Sequence, residues 1–179
     1  MGTTKLLLPI DGRPIIERVL QAAAGWPIVV VAGERVASRL DQGGLYVVKN
    51  TAPERGMSHS LALADAVIEA AQPIAVLLAD LPDITPAAIA AALEAYDDSI
   101  DIVVPRCGEL YAHPVVFGPR ARRKIGALPD GDTIKHLRDD PALQRRFIET
   151  AACAHRDIDT PLDYARRTGA SHSGKGRLT

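Results

Sequence analysis

The chain has 179 residues, a length suited to one compact domain rather than two. Apolar residues make up 47% and charged residues 24%, an ordinary soluble globular composition that can build a core without staples. Lys and Arg number 21 against 22 Asp and Glu, so the formal net charge is -1, which removes the electrostatic case for a general nucleic-acid or membrane-surface binder.

Apolar runs alternate with helical patterns along the chain, the sequence form of a βαβ protein whose parallel strands are buried on both faces. Pro14 suits a first helical position, and Ile15, Ile16, Val19, Leu20 and Ala23 recur at helical spacing until Gly25 stops the helix. Residues 28–31 and 45–48 read as short strands. Ser58 is predicted to cap a helix whose buried face is Leu61, Ala64, Val67, Ile68 and Ala71. The continuous apolar run 74–79 ends in Asp80-Leu81-Pro82, so a carboxylate stands where a buried strand meets its loop. Thr85-Pro86 opens a helix to about Tyr96, and strands are predicted at 100–104, 115–117 and 147–152. Thr133 starts a short helix ending near Arg138, and Thr160-Pro161-Leu162-Asp163 has the form of a capping box. The expected organisation is one domain over 1–167 and a polar, flexible tail over 168–179.

No apolar run approaches the roughly 18 residues of a membrane span. Cys107 and Cys153 are distant in sequence and form no CxxC or Cys/His pattern, which predicts neither a disulfide framework nor a zinc site and suits a reducing cytoplasm.

In open α/β sheets ligands bind beyond the carboxyl ends of the strands, which directs attention to segments 50–60, 80–83, 106–113 and 157–159. Asp80 and the pair Asp157 and Asp159 fall at the ends of different strands, and converging carboxylates make a hard-oxygen site suited to Mg²⁺. Asp159 is the favoured member of the pair. On residue pattern alone, Asp80 reads equally well as a cap for backbone donors, and Asp159 as an ion-pair partner of an Arg. Gly56 to Ser60 offers backbone donors and two hydroxyls at a helix start, a place for an anion or a polar nucleotide group, or for an ordinary cap. His113, before Pro114, fits a hydrogen-bonded structural histidine as readily as a ligand contact. The run 169–176 imitates a phosphate loop, but Gly176 stands where a Ser or Thr would hold Mg²⁺ and no strand precedes it.

Taken in order, Met1-Gly2-Thr3-Thr4-Lys5 through Pro9, Gly12-Arg13-Pro14, Asn50, Gly56-Met57-Ser58 with Ser60, Asp80-Leu81-Pro82, His113-Pro114, Gly131-Asp132-Thr133 and the segment from Asp157 to Tyr164 form one pattern. It resembles the molybdenum cofactor nucleotidyltransferases, in particular their molybdopterin cytidylyltransferase branch. The resemblance implies a Rossmann-like three-layer α/β fold with a mostly parallel central sheet. It implies Mg²⁺-dependent transfer of CMP from CTP, more than of GMP from GTP, to the terminal phosphate of molybdopterin, with release of pyrophosphate. By the same resemblance Asp80 and Asp159 hold the metal, and Lys5 acts beside Asp80 as a catalytic group and steadies the triphosphate. Asn50, Gly56, Ser58, Ser60, Leu81 and Pro82 line the nucleotide site, and His113 contacts the acceptor. No nucleic-acid or membrane partner is implied. Alternatives of the same fold are a guanylyltransferase, a transferase to another small-molecule or sugar phosphate, or a non-catalytic nucleotide-binding relative.

The pattern departs from the family at two places. Relatives carry a strand and a glycine-rich loop before the Met-Gly-x-x-Lys segment, which gives the expectation of a late-assigned start and roughly 15 to 20 further upstream residues. Ala112 stands where relatives carry Gly before the His-Pro pair.

Overall fold

A two-residue turn opens the fold as seen in the computed structural model, which describes residues 5–40, 45–150, 158 and 160–168. After the short helical turn Lys5–Leu7, strands β1 (Pro9–Ile10) and β2 (Arg13–Pro14) pair antiparallel. Asp11 and Gly12 close them at φ of 49° and 79°, and an Asp-Gly pair is suited to such left-handed positions. Helix α1 (Ile15–Ala22) follows at once and buries Ile15, Ile16, Val19 and Ala22 along one stripe. Pro14 lies just outside it, at the cap.

Strand β3 (Val29–Ala32), helix α2 (Glu34–Leu40) and strand β4 (Tyr46–Lys49) make one βαβ unit, with β3 and β4 parallel and Val29 opposite Tyr46. Next come α3 (Gly56–Asp65), β5 (Ile74–Val76), α4 (Pro86–Glu94), β6 (Ile102–Cys107), β7 (Leu110–Tyr111) and β8 (Val115–Phe117). The chain continues through α5 (Pro119–Arg122), α6 (Ile134–Asp139), β9 (Arg145–Glu149) and α7 (Pro161–Thr168). The larger sheet runs β5-β8-β6, with β9 parallel to β6 and the short β7 paired to the end of β6. Because β8 is antiparallel to both neighbours, β5, β6 and β9 all point the same way and their carboxyl ends share one edge of the molecule. The fold class is therefore as expected, with β8 as the reversed strand.

The main core lies under this sheet, where Phe117, Ile102, Val104, Val115, Ile125 and Leu137 are sealed from solvent. A second core joins the smaller sheet to α1 and α2 through Ile16, Ala32, Val36, Ala37 and Leu40. Among the described residues, β5 has no sheet partner on the side away from β8, and β3 has none on the side away from β4. Residues at the two edges share apolar cores: Ile28 packs in one cluster with Leu77, and Val30 in another with Ala79. Val29, Val30, Val31, Ala75, Val76 and Leu77 are only half-buried, unlike the sealed Ile102, Val103 and Val104 of β6.

Several sequence expectations are corrected. Helix α3 begins at Gly56 with Arg55 as its cap residue, so Ser58 lies inside the first turn rather than capping it. The helix also stops at Asp65, which leaves Val67 43% exposed instead of on a buried face. The cause is Arg122, 3% exposed, whose guanidinium donates to Asp65 Oδ1 at 2.6 Å and to the carbonyls of Ile68, Glu69 and Gln72. A buried cation there collects carbonyls of the irregular segment that follows the helix. The last strand starts at Arg145 rather than 147, because the arginine heads leave the sheet to bond Arg138 O, Ala95 O and Asp97. Cys107 is disulfide-bonded, against the expectation from cysteine spacing, and its partner sulfur lies outside the described residues. The expected tail, apart from Thr168, also lies outside them.

Candidate active site

The run 74–79 pairs only over Ile74–Val76 and then leads into a turn at Ala79 and Asp80, which places that carboxylate beyond the carboxyl end of β5. Lys5 reaches it from the first helical turn, with Nζ 2.9 Å from Asp80 Oδ2. Both side chains are largely covered, at 17% and 20% exposure, so the pair is less screened than a surface ion pair. Leu81 and Pro82, which follow Asp80 in the chain, are buried. The Pro82 carbonyl accepts from Arg18 Nε at 3.4 Å, and the same guanidinium bonds Asp11 at 3.1 Å. Arg167 of α7 pairs with Asp83 on the same loop. Arginines from two helices thus fix the loop that presents Asp80. Neither stands out as a site residue in the sequence, since no local spacing links Arg18 or Arg167 to residues 82 and 83.

The second half of the site is built on β4 and α3. Asn50, 4% exposed, donates from Nδ2 to Ser60 Oγ at 3.0 Å and accepts from the Ala52 amide at 2.9 Å. Ser60 in turn lies 3.5 Å from the Gly56 carbonyl. Gly56 has φ of 85°, a conformation open to glycine and strained for other residues. Ser58 is 4% exposed, and its Oγ is buried without a hydrogen-bond partner, which marks a polar group awaiting a partner.

The two halves are linked through the core. The Asn50 amide donates to the Ala32 carbonyl at 2.9 Å, and Ala32 shares a core cluster with Leu6, Leu7 and Ala79, the neighbours of Lys5 and Asp80. The His113 Nδ1 is 3.3 Å from the Val76 carbonyl, and its peptide bond to Pro114 is cis. That contact ties β8 to the end of β5. Ala112 is accommodated without positive φ, is buried, and donates to the Pro105 carbonyl at 2.7 Å. Asp157 and Asp159 lie outside the described residues, but Ile158 between them is buried against Ile10 and Ile15 in the cluster that includes Leu6 and Leu8. The capping box after it forms as expected, with the Thr160 amide donating to Asp163 at 2.8 Å and the Asp163 amide to Thr160 Oγ1 at 3.1 Å.

Among the described residues no three His, Cys, Asp or Glu side chains gather to hold a metal by themselves. A single hard carboxylate such as Asp80 instead suits a cation that keeps waters and takes other oxygens from a phosphate substrate.

A largely parallel α/β sheet with a lysine-carboxylate pair beyond the carboxyl end of β5 fits a nucleotidyltransferase, the class to which the family match assigns the chain. Residues 1–153 match the MobA-like NTP transferase domain, and the chain belongs to that family. It is 36% identical over 109 residues to the bifunctional protein GlmU of Rhizobium rhizogenes, a match covering 56% of this chain and 24% of that protein, so the chain spans about a quarter of that relative's length. Its fold is similar to Rv0371c of Mycobacterium tuberculosis, with a TM-score of 0.81 at 25% identity, covering 95% of this chain and 91% of that one. Rv0371c in complex with manganese superposes with a TM-score of 0.79 at 24% identity, over 94% of each chain. A CMP-2-keto-3-deoxy-manno-octonic acid synthetase complexed with CTP shares the fold at a TM-score of 0.75 and 14% identity, over 92% of this chain and 90% of that one.

Proposed function

We propose that the protein transfers CMP from CTP to the terminal phosphate of molybdopterin and releases pyrophosphate. The observation that carries the reading is the covered ion pair of Lys5 and Asp80 at the carboxyl end of β5. An acceptor phosphate and a triphosphate repel, so the chain must neutralise charge and fix both partners in line. Asp80, with Asp159, would hold Mg²⁺. The ion would supply charge neutralisation at the α-phosphate, and the manganese complex of the similar Rv0371c supports a divalent cation here. Lys5 Nζ would steady the triphosphate oxygens beside Asp80. In the transfer an acceptor phosphate oxygen bonds to the α-phosphorus, the bond from that phosphorus to the bridging oxygen breaks, and pyrophosphate leaves with its electrons. Asn50, Ser58 and Ser60 receive the base or ribose, and the buried Ser58 Oγ supports that assignment. Leu81 and Pro82 form the floor of the site, and His113 orders its acceptor side. A nucleoside triphosphate substrate suits a reaction in the cytoplasm.

The edges of β3 and β5 that have no partner among the described residues support a further element of this reading, a strand from an upstream segment lying between them.

The test is pyrophosphate release from CTP or GTP with molybdopterin, with and without Mg²⁺. Release is expected to need Mg²⁺, to favour CTP, and to fall by about 100-fold or more in Asp80→Ala, which still folds. Nucleotide binding without any release would assign the chain to a non-catalytic relative, and faster release from GTP would change the nucleotide.

A further inference from the structure

Segment 129–133 is far from the nucleotide residues in sequence and carries no role above, yet it is docked on the amino end of α3. The Gly131 amide donates to the Arg55 carbonyl at 2.7 Å, and the Ser58 amide donates to the Asp132 carbonyl at 3.1 Å. The second bond uses one of the free amides that a helix start offers. Gly56 and Gly131 both have positive φ and approach so closely that a Cβ on Gly56 would lie 2.8 Å from Gly131 Cα. Arg55 Nε and Asp130 Oδ2, 2.9 Å apart, brace the contact from outside. Asp132 is held on its own side by the Thr133 amide at 2.7 Å and by His136 Nδ1 at 3.1 Å.

We propose that residues 129–133 are a positioning clamp for the first turn of α3, with Asp130 and Gly131 setting where Gly56, Ser58 and Ser60 stand toward the nucleotide. The clamp is a contact of this chain alone; its consequence for the nucleotide rests on the functional reading above. With the Ser58 amide already committed to Asp132, the turn offers the nucleotide the orphaned Ser58 hydroxyl, with Ser60 held by Asn50 beside it. A clamp of this kind acts on affinity for the base and not on the chemistry at Asp80.

The experiment pairs amide hydrogen exchange with nucleotide kinetics on the full chain. Variants are Asp130→Ala, the charge swap Arg55→Asp with Asp130→Arg, and Gly56→Ala. Loss of an exposed ion pair corresponds to at most about a five-fold change. Asp130→Ala is therefore expected to speed exchange at residues 56–60 about two- to five-fold, leave β6 unchanged, and raise KM for the nucleotide by a similar factor at constant kcat. The swap is expected to restore both. Gly56→Ala, which forces the two backbones apart, is expected to raise exchange at both 56–60 and 130–132 at least ten-fold. Unchanged exchange at 56–60 in Asp130→Ala and Gly56→Ala would overturn the clamp, whether or not nucleotide binds. Faster exchange with unchanged KM would overturn its positioning role. Wild-type chain that binds neither CTP nor GTP would refute the nucleotide reading, and the positioning role with it, while the exchange data would still decide the clamp.

Discussion

Asp80 is legible in the sequence because a carboxylate following a continuous apolar run is costly unless a loop or ligand uses it. Its partner Lys5 is legible only through the family pattern, since 75 positions separate the two and no local spacing connects them. Residues that hold the site together are not legible at all: Arg18 and Arg167 act on the Asp80 loop through contacts made by folding. Away from the site, Asp97 is the clearest electrostatic position. The Ser99 hydroxyl and the Arg146 guanidinium, 2.7 Å away, stabilise its charged form and lower its pKa from 3.8 to about 2. A lowered carboxylate pKa adds stability that is fully present above the unfolded value and is lost as pH falls toward the folded one. Melting curves of wild type and Asp97→Asn should therefore differ at pH 5 and converge near pH 2. A gap that stays constant across that window would rule out the linkage.

At the scale of elements, helix starts read more accurately from sequence than helix ends. The Thr85 hydroxyl accepts from the Ala88 amide and Thr133 from the Lys135 amide, as side-chain caps should, because capping is local chemistry. The carboxyl end of α3 is governed instead by Arg122, 57 residues from its ion-pair partner Asp65. Removing one member of a buried, hydrogen-bonded pair strands the other and its carbonyls. Arg122→Ala is expected to lower stability by about 3 to 5 kcal/mol in urea denaturation. A loss below about 1 kcal/mol would show that water replaces the guanidinium without penalty. Strand β9 makes the same point from the other side: its first two positions are arginines, whose heads leave the sheet while their backbones pair with Ile102 and Val103. A reading by apolar runs starts that strand too late for this reason.

For the whole molecule, the notable feature is a sheet in two parts, with one edge of β3 and one edge of β5 that have no partner among the described residues. Apolar strand edges left half-covered cost both hydrogen bonds and burial. Extending the chain upstream by a strand and its loop is expected to raise the melting temperature by roughly 5 °C or more. It should also tighten CTP binding in calorimetric titration. An extended chain with the same melting temperature and affinity would show that these edges take no strand. The alternation of apolar runs and amphipathic helices by itself determined the α/β class, the order of most elements and the place of Asp80, because periodicity and capping act over a few residues. Only the tertiary structure decided the reversed β8, the meeting of Lys5 with Asp80, the arginine supports and the docking of Gly131 on Gly56. Each of these depends on which distant segments become neighbours when the core closes, and local sequence carries no record of that.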